Sequence, residues 1–229
     1  MITRRIRSFA GLHKLFLSHG HSHYIYRGES SAKYELRPKI GRYNVITRDD
    51  AADQEVYLLE AFKRRASPHV SLIPSNDWEW LAVAQHYGLA TRLLDWTENL
   101  LVAAYFATVL TRTDHSERII YALDSGVLHE SDETISPFEL DNASIYRPKH
   151  ITNRISAQSG LFTVHPNPAE KFTHDQLERI VISKNAVLDI SIALDKYGFN
   201  KATMFPGLDG VAFHINDWHL RGERDDIPV

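Results

Sequence analysis

Apolar residues recur at helical spacing in the first part of the chain. Ile6, Phe9, Leu12 and Phe16 fall at three- and four-residue steps, which predicts an amphipathic helix over about 6–19 that stops near Gly20. HYIYRGES then alternates and halts at Gly28, predicting a strand that delivers Arg27 to its end. Helical spacing returns from Asp53 to Ala66 through Val56, Leu59 and Phe62, with Lys63, Arg64 and Arg65 suited to the negative end of the helix dipole. Asn76 and Glu79 have capping-box spacing, and Trp78, Leu81, Ala82 and Gln85 share one side of a helix that Gly88 can end. Gln85 and His86 are then last-turn residues. After a short extended piece, Asp95 or Thr97 can cap a second helix, LLVAAYFATVL, whose uniformly apolar surface predicts a central position.

RIIYALD (118–124), GLFTVH (160–165) and ERIVIS (178–183) have strand patterns, and Ser191 to Gly198 is a short helix by its cap and stop. Leu208, Val211, Ala212, Ile215 and Trp218 predict a closing helix, although GVAFHI alone also fits a strand. Helices and strands mix without a strict βαβ rhythm. The expected fold is therefore α+β, with a mixed or antiparallel sheet flanked by helices. No repeat or composition break divides residues 1–229, so one domain is expected.

Composition narrows the chemistry. A chain of 229 residues that is 43% hydrophobic can bury a core of its own. Its net charge of -3 supplies no basic field for a nucleic-acid backbone. The absence of cysteine excludes disulfides and thiolate metal sites and fits a reducing compartment. The basic opening segment has no apolar run long enough for a signal peptide or a membrane span, so a cytoplasmic, soluble protein with no membrane partner is expected.

The polar residues between the two central helices, QHYGLATRLLDWTEN, are the first candidates. Arg92 lies among apolar neighbours and cannot lose its charge, so burial requires an anionic partner, for which Asp95 is nearest in sequence. Such a pair can pin a loop, with Thr91 and Thr97 bonding turn amides. Alternatively, a helix starting near Thr97 presents free amides beside Arg92 and makes a phosphate-sized anion site. Arg27 can project into a cleft while Gly28 lets a ligand approach the backbone, or it can pair at the surface with Glu29 or Glu35. Tyr26 suits stacking on a planar ring as well as the core. His86 is a proton carrier or a helix C-cap donor, and the Gln158 amide can meet a ribose hydroxyl or tie off backbone groups. His19, His21 and His23 alternate, but no carboxylate or cysteine sits at ligand spacing, so no metal is expected. The stretch Leu128 to Tyr146, with five acids, is a mobile cover or a solvated excursion. No phosphate-binding glycine loop and no nucleophile elbow occurs.

YRGES, YELRPKIGR, WLAVAQHYGLATRLLDWTENLLVAAYFA, YRPKHITNRISAQSGLFTVHP and TMFPGLDG follow one another in the order of the FRG domain, a family named for a Phe/Tyr-Arg-Gly motif. The resemblance extends from about 24 to about 215. More distantly, the chain resembles ADP-ribosyltransferases of the Arg-Ser-Glu type. Arg27 matches the strand-end arginine, and TRLLDWTENLLVAAYFA is similar to their strand-to-helix segment, with Thr91 or Thr97 at the hydroxyl position. Gln158 and Gly160 stand where the two acids of the third motif belong.

These resemblances imply an ADP-ribosyltransferase-like arrangement that binds NAD or a related nucleotide, in a bacterial toxin or phage-defence setting. Arg27, His86 and Gln158 are then the candidates for catalysis. Tyr26, Gly28, Gln85, Thr91, Arg92, Asp95 and Thr97 are the candidates for ligand contact, with Arg27 and Arg92 on phosphates. Because a glutamine supplies no charge to an oxocarbenium-like centre, another acid such as Glu29, Asp95 or Glu98 must serve, or the domain binds nucleotide without efficient transfer. The alternative is a non-catalytic binding module whose Arg/Asp/Thr cluster is structural.

Overall fold

The computed structural model describes residues 2–20, 23–43, 48–70, 72–108, 116–149 and 153–220, without the side chains of 48–52, 153, 218 and 220. Within them, the strands are β1 (Ile2–Ile6), β2 (Tyr24–Glu29), β3 (Leu93–Thr97), β4 (Arg118–Asp124), β5 (Ser144–Tyr146), β6 (Gly160–Val164) and β7 (Glu178–Ile182). The helices are α1 (Phe9–Ser18), α2 (Arg48–Ala66), α3 (Asp77–His86), α4 (Leu100–Thr108), α5 (Asn153–Ala157), α6 (Val187–Lys196), α7 (Lys201–Met204) and α8 (Leu208–Leu220). The described strands form one seven-stranded mixed sheet in the order β1-β7-β4-β2-β3-β6-β5. Only β1 and β7 pair in parallel, consistent with the expected α+β class.

Alternation along β4 shows how the sheet is covered. Ile120 and Ala122 face a core built with α1, α4 and α6. Ile119, Tyr121 and Leu123 face a second core with Leu94, Trp96 and Leu161. A third core joins α2 and α3 to Leu93, Phe162 and Val164. One face of the sheet thus carries two helical layers, one beside β2 and one beside β3.

Several predicted elements shift, for local reasons. β1 escapes the sequence pattern because it is an edge strand with four of its five residues exposed, held by ion pairs from Arg4 to Glu178 and from Arg5 to Glu117. In α1 the buried residues are Leu12 and Leu15, whereas Phe16 is exposed. Asn76 caps α3 as expected by accepting from Glu79 N at 2.9 Å, but Glu79 reaches back to Ser75 N at 2.7 Å. Gly88 follows α3 with φ +91°, the left-handed conformation that glycine permits without steric cost. LLDWT is a strand, so neither Asp95 nor Thr97 caps α4. The next helix starts at Leu100, where Asn99 Oδ1 accepts from Leu101 N at 2.9 Å. The apolar stripe of α8 faces outward, with Leu208 88% exposed, and the side chain of Trp218 lies outside the described residues. Residues 128–146 are solvated in part and packed on the protein in part. Phe138 and Leu140 pack on the third core, and Trp78 Nε1 donates to Ile135 O at 2.9 Å.

Candidate functional site

The sheet is nearly split between β2 and β3, which pair only at Tyr26 and Thr97. By contrast, β2 pairs with β4 along its whole length, from Tyr24 to Glu29. A cleft of about 310 Å³ opens at this split, roofed by Val102, Ala103 and Phe106 of α4 and closed at its sides by α5 and the end of α3. Arg27, Glu29, Gln85, His86, Asp95, Arg154 and Gln158, brought from four different elements and the segment after α5, meet there.

Arg27 spans the gap. Its Nε donates to Glu29 Oε1 at 2.8 Å, and its Nη1 donates across the split to the Asp95 carbonyl at 2.8 Å and to Asp95 Oδ2 at 3.3 Å. A side chain here takes the place of a missing ladder bond. Burial disfavours the Arg27 charge, but Glu29 and Asp95 outweigh it and push the pKa up. With its side chain 14% exposed and two carboxylates beside it, this guanidinium is already neutralised.

Asp95 is positioned by a hydrogen-bond chain rooted in the core. The Thr91 hydroxyl accepts from Leu93 N at 3.2 Å, so its own proton is free to go to Gln85 Oε1 at 2.7 Å. That contact fixes the amide orientation, directing Gln85 Nε2 to Asp95 Oδ2 at 3.0 Å. Gln85 and Arg27 thus hold the same carboxylate oxygen of Asp95 from two sides. The Asp95 side chain is 58% exposed, and its second oxygen has no partner among the described residues.

The remaining walls carry one neutral base and one open cation. Burial lowers the His86 pKa, and nearby Arg154 lowers it further against the pull of Asp95, which leaves the imidazole uncharged at neutral pH. Arg154 lies over the Phe205 ring at 4.3 Å and makes no hydrogen bond or ion pair with any described residue. Burial lowers its pKa, partly offset by Asp95. Gln158 Nε2 donates to Met204 O at 2.8 Å, leaving its amide oxygen as the cleft-side acceptor.

Of the other candidates, Tyr26, Gly28 and Thr97 line the cleft but are engaged within the fold, and Arg92, Thr91 and Glu98 do not line it. Arg92 is not paired with Asp95 and does not line the cleft. It is sealed in the third core, where Glu55 accepts from its Nε at 2.8 Å and from its backbone N at 2.6 Å. Glu55 was invisible to periodicity because α2 buries it while Val56, on the predicted apolar stripe, is exposed. Gly28 lines the cleft and also allows helix packing, since a Cβ there would stand 1.8 Å from the Ala103 carbonyl of α4. The Tyr26 ring is buried in the first core, with its hydroxyl 2.7 Å from His19 Nδ1, and is not free to stack on a ligand. Thr91 is fully buried, and the Thr97 hydroxyl donates to the Gln158 carbonyl at 2.6 Å. Thr97 also accepts from Asn99 N at 3.0 Å, so the helix start near it is not an open anion site. Glu98 pairs with Arg147 outside the cleft. No group of three or more metal-ligating side chains occurs among the described residues, and His21 lies outside them.

The segment that builds most of this cleft, from β2 through α4, is also what comparison with known proteins picks out. Residues 22–116 match the family model of the FRG domain. The chain carries an FRG domain. No curated protein and no solved structure matches the chain. The FRG match contains Arg27, Glu29, Gln85, His86 and Asp95, whereas Arg154 and Gln158 come from the following part of the chain. No helix among the described residues is long and apolar enough to cross a membrane.

Chemically, the FRG cleft offers a half-fixed carboxylate, a neutral imidazole, an amide oxygen and an uncompensated guanidinium. Arg154 is not among the candidates that the sequence singles out. Its one signal is spacing: Arg154 on α5 and Gln158 just after it are four residues apart, one helical turn.

Proposed function

We propose that the FRG cleft binds a nucleotide of the NAD type as substrate and transfers its ADP-ribosyl group to an acceptor. The observation that carries this reading is the presence of Asp95, with one carboxylate oxygen held and the other open, in the same cleft as the unpaired guanidinium of Arg154. NAD is complementary to that polarity, with a cationic nicotinamide end and an anionic pyrophosphate. A volume of about 310 Å³ suits the nicotinamide-ribosyl half, at the lower end of small-molecule sites.

In transfer, an acceptor nucleophile bonds to ribose C1′ while the bond from C1′ to the nicotinamide nitrogen breaks. The bonding pair goes to that nitrogen and neutralises the ring. Asp95 faces the positive charge that develops on the sugar, supplying what Gln158 cannot. His86, uncharged, takes the proton released by the acceptor. Gln85 and Thr91 act through Asp95 by fixing its orientation.

Calorimetric titration with NAD, paired with a nicotinamide-release assay, tests this. Wild-type protein is expected to bind, and Asp95→Asn to slow release by about a hundredfold or more while binding persists. Absence of heat at millimolar NAD would sink the reading. One observation favours a binding module without catalysis: most of the donors of Arg27, and its charge, are taken up by Glu29 and Asp95 of its own chain. Under that alternative NAD binds, but no nicotinamide is released from wild-type protein with any acceptor tried.

A further inference from the structure

Beside the cleft, α7 brings a second cation towards Arg154. Lys201 Nζ lies 4.0 Å from the centroid of Phe205, the ring that Arg154 Cζ approaches at 4.3 Å, and 4.7 Å from that of Phe213. The two charges can be no further apart than these two ring distances laid end to end. Neither makes a hydrogen bond or an ion pair with a described residue. Both side chains are only partly exposed, so water compensates them incompletely. Burial lowers the pKa of Lys201, and Arg154 lowers it further, with Asp217 acting in the opposite sense.

Aromatic faces attract cations, but a ring quadrupole supplies no net charge. Two cations on one ring therefore leave a positive field that Asp95 and Asp217 offset only in part, beside a cleft whose other guanidinium is bonded to two carboxylates. The arrangement is held firmly in place. Asn200 caps α7 through a capping box, and Gln158 Nε2 ties Met204 O, next to Phe205, to the cleft wall.

We infer that Arg154 and Lys201 form a two-cation seat for a pyrophosphate at the edge of the cleft, with Phe205 as its base. The planar fork of Arg154 suits two oxygens of one phosphate, and the ammonium of Lys201 acts as a point charge on the next. The anion chemistry follows from these side chains alone, whereas assigning the pyrophosphate to a dinucleotide rests on the NAD reading proposed above.

Titrations of wild-type protein, Arg154→Gln, Lys201→Gln and Lys201→Glu with inorganic pyrophosphate and, separately, with NAD test the seat. Pyrophosphate is expected to bind wild-type protein, to weaken about tenfold in either glutamine variant, and to weaken further in Lys201→Glu, where the new carboxylate competes for Arg154. Pyrophosphate binding with this pattern but no NAD binding would uphold the seat and overturn the nucleotide reading. NAD binding that is unchanged in both glutamine variants would overturn the seat and leave the nucleotide reading standing. Failure of wild-type protein to bind either ligand would overturn both. Melting curves of the variants, expected to overlay the wild type, separate lost contact from lost fold.

Discussion

Arg92 and Arg27 are both bonded to carboxylates close to β3, yet they occupy opposite kinds of environment. Arg92 is sealed, its side chain 1% exposed and its partner Glu55 equally buried. Arg27 shares its charge between Glu29 and an Asp95 whose side chain is 58% exposed at the edge of a cleft. Similar groups thus serve as scaffold in one place and as part of a site in the other. What separates them is whether a carboxylate oxygen remains available. Glu55 spends one oxygen on the Arg92 backbone and the other on its guanidinium, whereas Asp95 keeps one in reserve.

The contrast can be tested by removing charges in turn. The largest effect is expected for Arg92→Ala, which strands a buried carboxylate and should cost about 3–5 kcal/mol in urea denaturation. An equal loss from Arg27→Ala would erase the distinction between sealed and open sites. Next comes acidification. His165 is held to a pKa of about 3 by burial, with Arg27 and Arg92 both adding to the effect. The Thr163 hydroxyl accepts from Trp96 Nε1 at 2.9 Å and is hydrogen-bonded to His165 Nε2 at 2.8 Å. Because the folded pKa lies below the unfolded value near 6.5, this stabilisation is complete above that pH and is lost as pH falls towards 3. A stability profile over that window should decline by an amount on the order of a few kcal/mol, and His165→Gln should flatten it. The smallest effect is expected for Asp95→Asn, whose unfolding free energy should stay within about 0.5 kcal/mol of wild type. A loss comparable to that of Arg92→Ala would make Asp95 scaffold as well.

Much of this arrangement was legible in the sequence because it is local. The Asn76 cap, the Gly88 stop and the position of Gln85 in the last turn of α3 follow from neighbours a few residues away. The Arg27 strand and its glycine were likewise evident, although the reason for Gly28 was not, since Ala103 approaches it from a different element. Pairings over long separations were the ones that escaped. Asp95 was the nearest acid to Arg92 in sequence, but it lies on a strand whose register directs it to Arg27, while Glu55 arrives from α2. The seat on Phe205 depends on α5 and α7, two helices of five and four residues with too little periodicity to register.

The single Tyr26–Thr97 bridge has a mechanical consequence. Backbone ladders make a sheet stiff across its strands, and here that stiffness is interrupted at the cleft, where Arg27 acts as the cross-brace between two better-paired plates. Any molecule that touches Asp95 and the β2 wall together adds a second brace. Its binding energy is then felt as rigidity along the whole seam, and amide exchange at Tyr26 and Thr97 becomes a gauge of occupancy.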